Sequence, residues 1–558
     1  MKYFFAAALI ALAACDQRTG PTSPLLEEAV YSALGGMQVG ESLSFTGADA
    51  AEILLARGRV PGEFVFVPFH ASEVGAAQLN LLITGRNLGP DVAVAAGHEL
   101  PPASRVPTHL PSSELHEQLH AQMQAAIEPR LSRVRLARGG LPAPESRSDL
   151  GDDRAFVGQR VTLNASASGE ACSAVDMRRG RVEAISQRAI VVGDLENPGG
   201  GLTRQDFESF GNTFDTLIDP TLRRYFSDPT DIDGNGRVIV FFTRAVNEIT
   251  RDAGQGFVAG FFWARDLFQR EECPASNQGE IFFIFVPDPA AEASPIAHTR
   301  ERVLRTAPTT IGHEYQHLIN AGRRVWVNNA DEFEEIWLDE GLSHSAEELL
   351  FYRDSGARPR SNIDVAALQA ANWVDSVNQF QAGNLIRYGL YLEAVSRESP
   401  IHPMDRLQTR GAAWSFLRYA VDHGDIPDEQ FFRSLTDSRL TGFQNLRTVL
   451  REPPLDRIQR WGVSVFTDDL PGLAGIDPLF TQPSWNFRSL LPRVVERGDF
   501  PLLVRTLAGE QQLPVTIRAG SSAYVRVRGG GSETSRILTT SGGETPPAQL
   551  RATVVRID

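Results

Sequence analysis

A chain of 558 residues is too long for one hydrophobic core and is expected to divide into about two to four domains. Hydrophobic residues at 42% and charged residues at 22% exclude a largely disordered chain. The formal net charge of −15 argues against a nucleic-acid partner and disfavours attraction to anionic membrane surfaces.

The first segment reads as a targeting signal. Lys2 supplies a positive start, and Phe4 to Ala14 form an apolar run too short for an ordinary membrane span. Leu12-Ala13-Ala14-Cys15 resembles a bacterial lipoprotein processing site, which makes Cys15 the lipid-modified first residue of the mature chain. The chain is then extracytoplasmic, held at the cell envelope through an N-terminal lipid only; a cleaved secretory signal with an incidental cysteine is the other reading. In that oxidising setting the remaining Cys172 and Cys273 are expected to pair, the alternative being two separate buried thiols.

After a short tether at 16–30, alternation and β-rich runs at 42–45, 63–69 and 78–84 predict a sandwich-like β domain. Residues 113–138 turn helical, with Leu115, Leu119, Met123 and Ile127 at four-residue spacing, and a Gly/Pro/Asp-rich linker follows at 139–153. Short strands return between 157 and 200. From Thr203 the pattern is helical, with Phe207, Phe210, Phe214 and Leu217 on one face, followed by strands at 238–242 and 280–286. Residues 301–450 are mostly helical, and 484–558 read as β again. The expected organisation is a signal peptide at 1–15, an N-terminal β domain at 16–110, helix and linker at 111–153, a small β region at 154–200, an α+β domain at 201–475 and a C-terminal β domain at 476–558.

The chemistry lies in His313-Glu314-Tyr315-Gln316-His317. On a helix, residues four apart stand one turn above the other on the same face, so His313 and His317 can grip one metal ion. Glu314 points into the same cleft, where it can reach a metal-activated water. This H-E-x-x-H arrangement is the one used by zinc hydrolases. Two histidines that merely pack are the bland alternative, but burying them with a glutamate is costly without a partner. Catalytic zinc takes three protein ligands and leaves a position for water, so a third ligand is needed. Glu340, in Trp337-Leu338-Asp339-Glu340-Gly341-Leu342, is the best candidate. Glu332, Glu334, Glu335, Asp339, Glu347 and Glu348 are its rivals, and an acidic, solvated helix start would account for the whole group.

His313-Glu314-Tyr315-Gln316-His317 followed by Trp337-Leu338-Asp339-Glu340-Gly341 resembles the gluzincin metallopeptidases, and most nearly the hyicolysin-like extracellular peptidases, in which H-E-x-Q-H-L-I-N and W-L-x-E-G-L-S recur. The resemblance covers roughly 200–420 and is specific over 309–350. It implies a zincin-like catalytic domain; the strand patterning, not the resemblance, adds the flanking N- and C-terminal β-sandwich-like domains of the expected multidomain α+β protein. The resemblance further implies zinc held by His313, His317 and Glu340, Glu314 as general base, and Glu347 as a hydrogen-bond partner of a ligand histidine. No G-x-M-E-N element is present, which favours internal cleavage of a protein or peptide over exopeptidase action. Asp339 stands where Asn is common. Tyr388 and Tyr391 are the nearest donors for transition-state charge, Tyr388 first, although both also suit packing.

Two weaker signals remain. Asp231-Ile232-Asp233-Gly234-Asn235-Gly236 resembles the start of a calcium loop, making Ca2+ a second candidate cation, yet it lacks the closing acid and a plain turn explains it equally. His116 and His120 also stand four apart but lack a carboxylate between them, and read as polar positions of a helix. A non-catalytic surface lipoprotein that keeps a zincin-like fold for binding is the competing function; Glu314 speaks against it, because a binding module needs no base.

Overall fold

The computed structural model describes residues 37–55, 62–90, 119–131 apart from 121 and 130, 150, 155–494, 498–529 and 534–558. Cys15, the expected signal and tether, His116 and most of the expected linker lie outside the described residues. Fifteen strands are described: β1 (Ser42–Thr46), β2 (Glu52–Leu55), β3 (Glu63–His70), β4 (Gln78–Arg86), β5 (Arg160–Asn164), β6 (Met177–Ile185), β7 (Ala189–Asp194), β8 (Val238–Phe242), β9 (Gly260–Phe262), β10 (Ile281–Ile284), β11 (Arg505–Leu507), β12 (Gln512–Arg518), β13 (Val525–Arg528), β14 (Ser535–Thr540) and β15 (Leu550–Arg556).

The two ends of the chain build one β-sandwich. Its sheets run β1-β15-β3-β13-β11 and β12-β4-β14-β2, so N- and C-terminal strands alternate as neighbours except where β11 joins β13. Phe64 and Phe66 of β3 meet Leu79, Leu81 and Ile83 of β4 in the sandwich core. The opposite face of β3, with Val65, Val67 and Phe69, packs on the helical body and joins the larger core. A strand buried on both faces reads as a continuous apolar run, whereas β4, with one face toward water, alternates. The expectation of two separate flanking β domains is therefore corrected: strands of either end alone leave an uncovered face, and the partners that cover it lie at the other end of the chain.

The expected small β region at 154–200 is likewise no separate unit. Strands β5, β6 and β7 extend a six-stranded sheet in the order β5-β6-β7-β8-β10-β9, in which β9 runs antiparallel to β10 and forms an edge. Cys172 and Cys273 are disulfide-bonded with Cα atoms 4.6 Å apart, tying the β5–β6 connection to the segment before β10. No helix among the described residues is long and apolar enough to cross a membrane.

Two helices carry the motif residues. The first, Arg300–Ala321, is capped by Thr299, whose hydroxyl accepts the Arg302 amide at 3.2 Å. Tyr315 fixes its rotation by donating its hydroxyl to Asp219 at 2.7 Å, so the opposite face, with His313 and His317, turns to the cleft. The second, Ile336–Ser355, starts one turn before Glu340 and stops at Gly356, whose φ of 75° is left-handed. Gly341 lets the helix Leu407–Asp422 close in: a Cβ there would stand 2.9 Å from Leu417 Cδ1. That approach brings Arg410 up to Glu340.

Candidate metal centre

The two helices converge on one buried point. His313 Nε2 and His317 Nε2 lie 3.2 Å apart. Glu340 Oε2 is 3.5 Å from His313 Nε2, and Glu340 Oε1 is 3.7 Å from His317 Nε2. On the far side of each ring a carboxylate takes the other nitrogen, Glu347 Oε1 at 2.9 Å from His313 Nδ1 and Asp339 Oδ2 at 3.0 Å from His317 Nδ1. Asn320 donates to the second oxygen of Asp339 at 2.5 Å and holds it in place. An ionised carboxylate only accepts, so it places the imidazole proton on Nδ1 and leaves Nε2 as an electron-pair donor. Two such donors aimed at one point beside a carboxylate repel one another unless a cation lies among them.

The electrostatics favour positive charge. Burial lowers the His313 pKa, but hydrogen bonds to Glu340 and Glu347 and the charges of Glu340 and Glu314 outweigh it and raise the value to about 10. Glu340 is held well below the ordinary carboxylate range against its burial, first by the charge of Arg410, whose Nη2 stands 3.0 Å from Oε1. Arg410 is shared with Asp405, its Nε donating at 2.8 Å.

Glu314 sits beside the ligand cluster and accepts the backbone N–H of Phe262 at 2.9 Å. Phe262 belongs to edge strand β9, so the carboxylate bridges the motif helix and the sheet. On the Gly260 side a cavity of about 790 Å³ opens, lined by His313, Glu314, Thr310, Arg387 and Arg410 among others.

Over 150 residues the chain is 26% identical to the neutral metalloprotease ShpI of Staphylococcus hyicus. The match takes in 26% of this chain and 32% of the relative, so it spans about a third of that protein's length. No family model matches the chain. The chain is thus distantly and partially similar to a metalloprotease, and a metal is implied. Its residues fit one: donor atoms about 2.1 Å from a tetrahedral zinc stand roughly 3.4 Å apart, close to the separations among His313, His317 and Glu340.

The rival carboxylates separate cleanly. Asp339 and Glu347 sit behind the histidines. Glu334 is bound up with Arg324 at 3.1 Å and Asn445 at 2.7 Å, Glu335 accepts the Trp337 indole at 2.6 Å, and Glu348 accepts the Trp485 indole at 2.6 Å; Glu332 is exposed. Tyr388 does not join the cluster. Its ring packs on Phe487, Tyr391 and Trp414 and its hydroxyl accepts Gln482 Nε2 at 3.3 Å, so as a transition-state donor it is corrected to a core residue. Asp231, Asp233 and Glu280 do gather, but the turn itself engages them: Glu280 accepts Thr230 at 2.6 Å and Asp233 accepts Asn235 Nδ2 at 2.8 Å.

Three residues near the site escaped sequence reasoning. His344 Nδ1 lies 3.1 Å from Glu347 Oε1 and its buried Nε2 has no hydrogen-bond partner among the described residues; burial, then the charge of Arg387, lowers its pKa to about 3. Its spacing four residues after Glu340 is a usable signal. Arg410 read only as part of a buried helix. His120 read as a polar helix position, and this too is corrected: its Nδ1 stands 2.6 Å from Glu340 Oε1. No local pattern links positions that far apart in the chain.

Proposed function

We propose that this chain is a gluzincin-type zinc metalloendopeptidase, with His313, His317 and Glu340 as ligands and Glu314 as general base. The observation that carries the reading is the convergence of both histidine Nε2 atoms on Glu340, with a carboxylate behind each ring. Zinc held there would supply Lewis acidity and lower the pKa of a water molecule. Glu314, 2.9 Å from the Phe262 amide and beside His313, would take a proton from that water and pass it to the leaving amine. An extended peptide pairs with the open edge of β9, which sets the scissile carbonyl near the cluster. The strand at 280–286, although it precedes the motif helix in sequence, offers no such edge, because β10 lies between β8 and β9. Arg410, hydrogen-bonded to Glu340, steadies the ligand carboxylate. A lipid-modified Cys15 would place this activity at the cell envelope.

Metal analysis and peptide cleavage test the reading together. One zinc per chain is expected, lost in His317→Ala, with chelator-sensitive cleavage of a peptide library restored by zinc. A chain that takes up no zinc, or peptide cleavage indifferent to both chelator and His317→Ala, overturns it.

A further inference from the structure

The segment at 119–131 lies across the metal centre rather than away from it. Leu119, Met123, Ile127 and Leu131, one turn apart, are all buried in the large core, so this helical segment is anchored along a full apolar stripe. Gln124 donates from Nε2 to the Glu334 carbonyl at 2.8 Å, a second anchor. From this platform His120 reaches the centre. Its Nδ1 is 2.6 Å from Glu340 Oε1, its Nε2 is 3.6 Å from Asp339 Oδ2, and its ring centroid is 4.5 Å from that of His317. A ring nitrogen of His120, one of His317 and an oxygen of Glu340 all lie within 4.8 Å of one another.

The two directions of the cleft along β9 differ sharply. On the Gly260 side the cavity is about 790 Å³. On the Phe262 side, between Phe262, Trp263, His317 and the segment's His120, Met123 and Gln124, only about 30 Å³ is left. A peptide paired with β9 must run in both directions from the scissile bond, and one direction is filled.

We propose that the helical segment at 119–131 is a built-in inhibitor of this site, with His120 supplying a fourth ligand at the position that catalysis leaves open to water. The inference rests on the metallopeptidase reading above. A catalytic zinc needs one exchangeable position, and an imidazole there closes it, as the three-ligand rule implies. The same segment covers half of the strand that substrate would use. One anchored element thus blocks both water and peptide, and the described form is latent. Activity then scales with the fraction of chains in which the segment has left its groove.

The full-length chain tests this with two variants and two kinds of readout. His120→Ala removes the ligand, and Met123→Arg expels the segment by burying a charge in its groove. Each is expected to raise zinc-dependent peptide cleavage by about tenfold or more over the unaltered chain. Misfolding cannot mimic such a gain. In the cobalt-loaded protein, His120→Ala should shift the visible absorption as a nitrogen ligand is replaced by water, and should speed metal loss to a chelator. Cobalt spectra and cleavage rates unchanged in both variants, with one metal bound, overturn the proposal and leave the peptidase reading standing. If metal binds but neither the unaltered chain nor either variant cleaves any peptide, the peptidase reading itself fails, and this inference with it.

Discussion

In the proposed mechanism Glu314 is the residue on which turnover depends; it joins the motif helix to the edge strand by accepting the Phe262 amide at 2.9 Å. Glu314→Gln keeps the shape and the hydrogen bond but cannot take a proton. Zinc content should be unchanged while cleavage falls by about 10²–10⁴-fold, the usual worth of a general base. Cleavage at the unaltered rate would remove Glu314 from that role. Behind His313, Glu347 sets the tautomer, so Glu347→Gln should weaken zinc by about 10–100-fold in chelator competition; equal retention would make Glu347 a bystander. At some distance, Asp468 accepts the Gln482 amide at 2.9 Å, and burial, with the charge of Asp469, pushes its pKa from 3.8 up to about 8. A carboxyl raised on folding holds its proton better in the native state. Its stabilising contribution is complete below pH 3.8 and is lost as pH rises through about 8. Asp468→Asn mimics the protonated acid, so its melting temperature relative to the unaltered chain should climb across that window. Parallel curves would count against the assignment. At this scale the pairing of His313 with His317 was legible because helical spacing is local, whereas Glu340 was one candidate among several carboxylates and Glu347 was reached only through the resemblance. Tyr388 was misread because an aromatic near the motif in sequence says nothing of which way its ring faces.

Among the elements, the mostly helical character of 301–450, which holds the motif helix and the Glu340 helix, was readable in the sequence. The role of β9 was not: three residues long, Gly260–Phe262 carries too little pattern to be distinguished from its aromatic-rich surroundings. The sheet between β5 and β10 is braced by the Cys172–Cys273 bond, which closes a span of 101 positions. In the chain-entropy view a loop of that size loses much freedom when crosslinked, so Cys172→Ser should cost about 2–5 kcal/mol of stability. Urea unfolding under non-reducing conditions measures this; an unmoved midpoint would show that the packed sheet needs no brace.

In the molecule as a whole, the β-sandwich makes the two ends of the chain interdependent. β3 lies between β15 and β13, and β4 between β12 and β14, so all four neighbours come from the C-terminal end. Deleting residues 505–558 should therefore expose 37–90 to limited proteolysis rather than trim a spare domain. Continued protection of that region would contradict the interleaved pairing. The sequence by itself determined that His313 and His317 share one helix face, because a four-residue spacing is a local property of the helix. It also marked β-rich ends and a helical middle, because alternation and periodicity are local properties. Only the tertiary structure decided which strands pair, which edge faces the cleft, and that His120 reaches Glu340. Those contacts join residues hundreds of positions apart, and they come from burying faces that each segment leaves open on its own.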